Sequence, residues 1–170
     1  VAFAEVSRRL KRTGAVLLAA VLVLACGLSL LVSNEYLSQL IRNGGARSWT
    51  DASQPLCETL ERTPAELVYI VDWGIFDTQR LLSEGRLPLR WGVTPLVKEK
   101  LDDTDWREFR EMISDPQHIV VGHTPAYEEF PNVRERLRVL SEQEGYRPEI
   151  LHTVRDSNGR AVYEVFRFRQ

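Results

Sequence analysis

Hydrophobic and polar residues follow two regimes along this chain. From Thr13 to Asn34 there are 22 consecutive residues without a charge. Within them Gly14–Val32 is apolar on every face of a helix, with no polar stripe. At about 1.5 Å rise per residue this stretch spans roughly 28 Å, close to the hydrocarbon thickness of a bilayer. A helix is also the form that satisfies its own backbone groups in lipid. The pattern divides the chain into a flank over 1–12, a membrane-spanning helix over 13–34, a membrane-proximal linker over 35–48 and a folded domain over 49–170.

In that domain the periodicity changes from element to element. Leu56 and Leu60 lie one turn apart on a helix capped by Thr50 or Asp51 and ended by Thr63-Pro64. The continuous apolar run 67–71 predicts a buried strand. A short helix follows over 75–83, stopping near Gly85, and 88–95 reads as loop. Trp106, Phe109 and Ile113 share one helical face and predict an amphipathic helix over 104–114. Residues 119–121 predict a second buried strand, and Val133, Leu137 and Leu140 a helix over 132–144 ended by Gly145. The turn Asp156-Ser157-Asn158-Gly159 between 150–155 and 161–168 is a hairpin signal. Strands alternating with helices predict an α/β fold in two or three layers, with a mixed, partly parallel sheet. The C-terminal β-hairpin supplies its antiparallel edge.

Composition adds direction. Arg8, Arg9, Lys11 and Arg12 precede the apolar segment, whereas Glu35, Arg42 and Arg47 after it are sparse and mixed. The positive-inside rule places the N-terminus in the cytoplasm and the domain outside. A cleaved signal peptide fits less well, because the apolar run is too long and continues past Ala25-Cys26-Gly27. A lipoprotein signal ending at Cys26 meets the same objection, since Leu28–Val32 would follow the lipid. A buried helix of a soluble domain would need a polar face.

The 22 Lys+Arg against 24 Asp+Glu give a net charge of −2, so no cationic field is available for nucleic acid. Two cysteines exclude a disulfide scaffold and a four-cysteine zinc module. Cys26 at membrane depth and Cys57 outside cannot pair, and Cys57 reads as a small buried hydrophobe. The chain begins with Val, and its single Met is Met112, which leaves open that the sequence is the end of a longer polypeptide.

The candidate chemistry lies where the two apolar strands end. The first ends in Val71-Asp72-Trp73-Gly74, the second in Val121-Gly122-His123-Thr124-Pro125, followed by Tyr127, Glu128 and Glu129. In open α/β sheets ligands bind outside the carboxyl ends of parallel strands. Were these strands parallel neighbours, Asp72 would orient the His123 imidazole as an acid, base or ligand. Trp73 and Tyr127 would offer flat faces to a sugar, with Glu128 beside them. The competing reading is structural: Asp72 caps the following helix, Trp73 fills space between helix and sheet, Gly122 supplies an unusual backbone angle and His123 makes a buried hydrogen bond. No metal or other cofactor is expected. His118 and His123, five apart on a strand, point to opposite faces, and no cysteine cluster assists. No P-loop, GxGxxG or GxSxG occurs.

The order of features resembles the C-terminal end of bacterial GT-C class membrane glycosyltransferases, the protein-mannosyltransferase-like enzymes that use polyprenyl-phosphate sugars. The resembling parts are the membrane span, Asn43-Gly44-Gly45, Ser48-Trp49-Thr50-Asp51-Ala52, Val71-Asp72-Trp73-Gly74 with Leu81-Leu82, the Gly122-His123-Thr124 turn and the terminal hairpin over 156–169. The resemblance implies an outer α/β domain over a membrane-embedded transferase core in the inner (plasma) membrane. Its partners would be the bilayer, a polyprenyl-phosphate sugar and a glycan or protein acceptor. In that family the catalytic acidic residue lies in the first outer loop, which no position here matches. The chain is thus expected to be non-catalytic alone, with Asp51 and Asp72 matching only as features of the outer domain. Two alternatives stay open: a stand-alone bitopic protein with a glycan- or partner-binding outer domain, and an anchored hydrolase using His123.

Overall fold

The computed structural model describes residues 2–43, 45–46 and 49–170. Gly44, Arg47 and Ser48 lie outside the described residues, and with them part of the Asn43-Gly44-Gly45 motif and the start of the motif at 48–52. The side chains of Arg8, Arg9 and Arg12 also lie outside. The chain forms two units, residues 1–42 and 43–170.

The first unit is one helix, α1 (Ala2–Asn43). Residues 19–42 form a segment long and apolar enough to cross a membrane. Val16, Leu17, Leu24, Leu31 and Ile41 are all exposed on α1, and such a surface calls for lipid or a partner. The helix continues through most of the expected linker. Leu37, Leu40 and Ile41 prolong the apolar spacing, and Gln39 donates to Glu35 one turn back at 2.9 Å.

In the second unit, β1 (Gly45–Ala46) pairs antiparallel with β2 (Trp49–Thr50). Then follow α2 (Ser53–Arg62), β3 (Leu67–Ile70), α3 (Ile75–Leu82), β4 (Leu89–Trp91), α4 (Thr94–Val97), α5 (Asp103–Ser114), β5 (His118–His123), α6 (Val133–Gln143), β6 (Arg147–Arg155) and β7 (Ala161–Arg169). The five-stranded sheet has the order β4-β3-β5-β7-β6. β3 is parallel to both β4 and β5, and β7 is antiparallel to both β5 and β6. The fold is therefore α/β with a mixed, partly parallel sheet and a C-terminal hairpin.

Strand alternation sends side chains to two cores. Val68, Ile70, Ile119, Val121, Tyr163 and Val165 meet Leu56, Leu60 and Ile75 from α2 and α3. Tyr69, Val71, Val120, Phe166 and Phe168 meet Phe109, Met112, Ile113 and Leu137 from α5 and α6. The domain is thus three-layered. Cys57 is buried as a small apolar residue.

Two local expectations change. Residues 88–95 are not a simple loop: β4 and α4 lie within them. A three-residue edge strand between two prolines carries too little periodicity to be seen, and its partner β3 is distant in sequence. Neither Thr50 nor Asp51 occupies the cap position of α2, which falls to Ala52 without a side-chain bond. Thr50 instead accepts the Ala52 amide at 3.1 Å. At α5, Asp102 and Asp105 form a reciprocal capping box.

Candidate functional site

β3 and β5 are parallel neighbours, with Ile70 opposite Val121, so their carboxyl ends deliver Asp72 and His123 to the same rim. A Cβ on Gly122 would stand 3.0 Å from Val71 Cγ2; glycine there permits the close approach of the strand ends. It supplies no unusual backbone angle, since Gly122 is not among the positive-φ residues described. Gly74, with φ 79°, does turn the chain into α3.

The two side chains join. His123 Nδ1 lies 2.8 Å from Asp72 Oδ2, with side chains 1% and 2% exposed. A carboxylate accepts, so Nδ1 donates, leaving Nε2 as the other ring nitrogen. His123 also stacks on Tyr163, ring centroids 4.9 Å apart. The Tyr163 hydroxyl lies 3.3 Å from Ser53 Oγ; burial pushes that phenol up, and the serine contact pulls partly back.

Asp72 does more than orient an imidazole. Its carboxylate accepts the amides of Trp73 at 2.8 Å, Glu129 at 3.1 Å and Phe130 at 3.0 Å. Burial pushes the carboxyl up, but the bonds from His123 and the amides outweigh it and hold the group below its ordinary value. Asp72 therefore fastens the segment after β5 to the end of β3. It does not cap α3, whose cap position is Gly74 with no side-chain bond.

No family model matches this chain. Nor does any curated protein or solved structure.

The other candidate residues spread out from this pair. Trp73 does not fill space between helix and sheet: it is 54% exposed. Tyr127 packs partly buried against the core under α2 and α3. Glu128 accepts the Arg134 amide at 2.7 Å and so caps α6, whose own cap residue Asn132 makes no side-chain bond. The space beside Asp72 and His123 measures about 10 Å³, no more than a water requires. Above it lies a groove of about 390 Å³ between α6 and the hairpin. Leu137, Ile150, Phe166 and Phe168 give the groove apolar lining; Glu128, Arg134, Arg138 and Glu164 are among its charged members. Arg134 is ion-paired with Glu164.

The groove is absent from the sequence reading. Its one available signal is the alternation Glu164, Phe166, Phe168 on β7 opposite Tyr163 and Val165, which marks a strand buried on both faces. A polar cleft of about 450 Å³ lies between β4 and α5, lined by Arg90, Glu108 and Glu111. Residues suited to a cation group elsewhere, at the opposite rim: Glu66, Asp115 and His118. His118 and His123 do face opposite cores, as their spacing predicts, with His118 against Tyr69 and His123 against Tyr163.

Proposed function

We propose that this chain is the C-terminal, membrane-anchored part of a bacterial GT-C class glycosyltransferase that moves sugar from a polyprenyl-phosphate carrier. The outer domain binds or positions, and the bond-breaking step belongs to a loop that these residues do not contain. The N-terminus is cytoplasmic and the α/β domain extracytoplasmic, at the inner (plasma) membrane, because the basic flank precedes the span.

The observation that carries the non-catalytic role is the burial of Asp72 and His123. Their neighbouring space of about 10 Å³ admits no sugar, and the carboxylate is fully engaged by four donors. That arrangement counts against an anchored hydrolase working through His123. Exposed Trp73 and the groove beside α6 are surfaces on which a glycan or protein acceptor can rest.

The test is sugar transfer from a radiolabelled polyprenyl-phosphate donor in membranes carrying the full protein, with and without residues 49–170. Loss of transfer on deletion supports the proposal. Unchanged transfer, with the truncated protein present at equal amount, overturns it and favours a stand-alone binding protein.

A further inference from the structure

The amino ends of β3 and β5 are as closely matched as their carboxyl ends, with Leu67 opposite His118. The Glu66 amide donates to the Gln117 carbonyl at 3.0 Å, and the His118 amide to the Asp115 carbonyl at 3.0 Å. These bonds bring Glu66, Asp115 and His118 together, and one ligand atom of each lies within 4.8 Å of the other two.

Each side chain is prepared differently. His118 is 6% exposed, and its Nδ1 lies 2.9 Å from the Glu111 carbonyl oxygen. A carbonyl only accepts, so Nδ1 donates, leaving Nε2 as the ring nitrogen that can bind a cation. No hydrogen bond reaches that atom among the described residues. Histidines that bind metals show this same fixing of the far ring nitrogen by a backbone carbonyl. Asp115 is held by the Gln117 amide at 2.8 Å on one oxygen. Glu66 is exposed and can swing. The three groups sit at the C-terminal end of α5, where the helix dipole is negative and the last turn carries no basic side chain.

We infer that Glu66, Asp115 and His118 form a binding site for a first-row divalent cation of the zinc type. One imidazole nitrogen and two carboxylate oxygens suit Zn²⁺ better than Ca²⁺ or Mg²⁺, which take oxygen ligands. Bonds of about 2.0–2.2 Å need ligand atoms closer than the present spacing, and rotation of exposed Glu66 supplies the adjustment. Solvent on the Glu66 side provides the fourth ligand. The ion fastens the start of β3 and β5 to the end of α5, at the rim opposite Asp72. The site does not rest on the transferase reading.

The experiment uses the full chain in detergent, stripped with chelator and titrated with Zn²⁺ alone. The expected result is saturable binding of one ion per chain, with a rise of roughly 5 °C in the melting temperature of the outer domain at saturating metal. Glu66→Gln and Asp115→Asn each weaken binding at least about 10-fold and leave the metal-free melting temperature in place. Glu66 is exposed, and the carboxamide oxygen introduced by Asp115→Asn still accepts the Gln117 amide, so both variants fold. Absence of one-to-one binding, or binding undiminished by either substitution, overturns the inference.

Discussion

Replacing Asp72 with Ala is the sharpest test of how the rim is built. The carboxylate is 2% exposed and accepts four bonds, from Trp73, Glu129, Phe130 and His123. Alanine leaves those donors facing a small dry gap. The Trp73 amide adjoins an exposed side chain, and water can replace its partner; the other three lose theirs outright. A bond to a charged group contributes about 1.5–3 kcal/mol, but the burial of the carboxylate offsets part of the sum. The net cost is about 3–5 kcal/mol, against the roughly 5–15 kcal/mol by which domains are usually stable. Asp72→Asn keeps one accepting oxygen and the side chain's size, and costs about 2 kcal/mol. Urea unfolding of the full chain in detergent, followed by tryptophan fluorescence, reads both values. Amide exchange at Glu129 and Phe130 should quicken about 100-fold in the alanine variant, since these amides lose their anchor. A loss below about 1 kcal/mol for Asp72→Ala with an unchanged urea slope would refute the view of Asp72 as the fastener of this rim.

Further outcomes follow from the same structure. The Asp72 carboxyl is held below its ordinary value in the folded state, so the unfolded chain takes up this proton at higher pH. The stabilisation is therefore complete above about pH 4 and is lost as pH falls through the folded value; urea midpoints between pH 6 and pH 3 should fall, and Asp72→Asn should flatten that fall. Gly122→Ala places a Cβ 3.0 Å from Val71 Cγ2 and should cost about 1–3 kcal/mol by the same unfolding assay. Phe109→Ala empties a side chain that is 0% exposed and should cost about 3–5 kcal/mol. Glu128→Ala removes the acceptor for the Arg134 amide and should cost about 1 kcal/mol, read as faster exchange in the first turn of α6.

Much of the fold was legible because its signals are local. The run at 67–71, the helical face of Trp106, Phe109 and Ile113, and the turn at 156–159 each carry their own periodicity, and each corresponds to an element. The meeting of Asp72 with His123 was legible conditionally: it required β3 and β5 to be parallel neighbours, which they are. What escaped is non-local. β4 is three residues long and acquires its identity from β3. The grip of Asp72 on the Glu129 and Phe130 amides joins residues 57 and 58 positions apart, and no pattern in either segment encodes it. Trp73 was legible as an aromatic at a strand end, but its exposure follows from the turn at Gly74. The grouping of Glu66, Asp115 and His118 draws on separate segments of the chain, and only Asp115 and His118 are close enough in sequence to catch the eye.

The proposed role of the α/β domain is to support sugar transfer without performing its chemistry. The most direct measurement is the rate of transfer from a polyprenyl-phosphate sugar by the full protein carrying His123→Gln, normalised to the amount of folded chain. The expected rate is within about threefold of the unaltered protein, with an unchanged pH profile, because the imidazole is buried beside Asp72 with no room for substrate. A loss of about 100-fold or more per folded chain would contradict it and place His123 among the reacting groups.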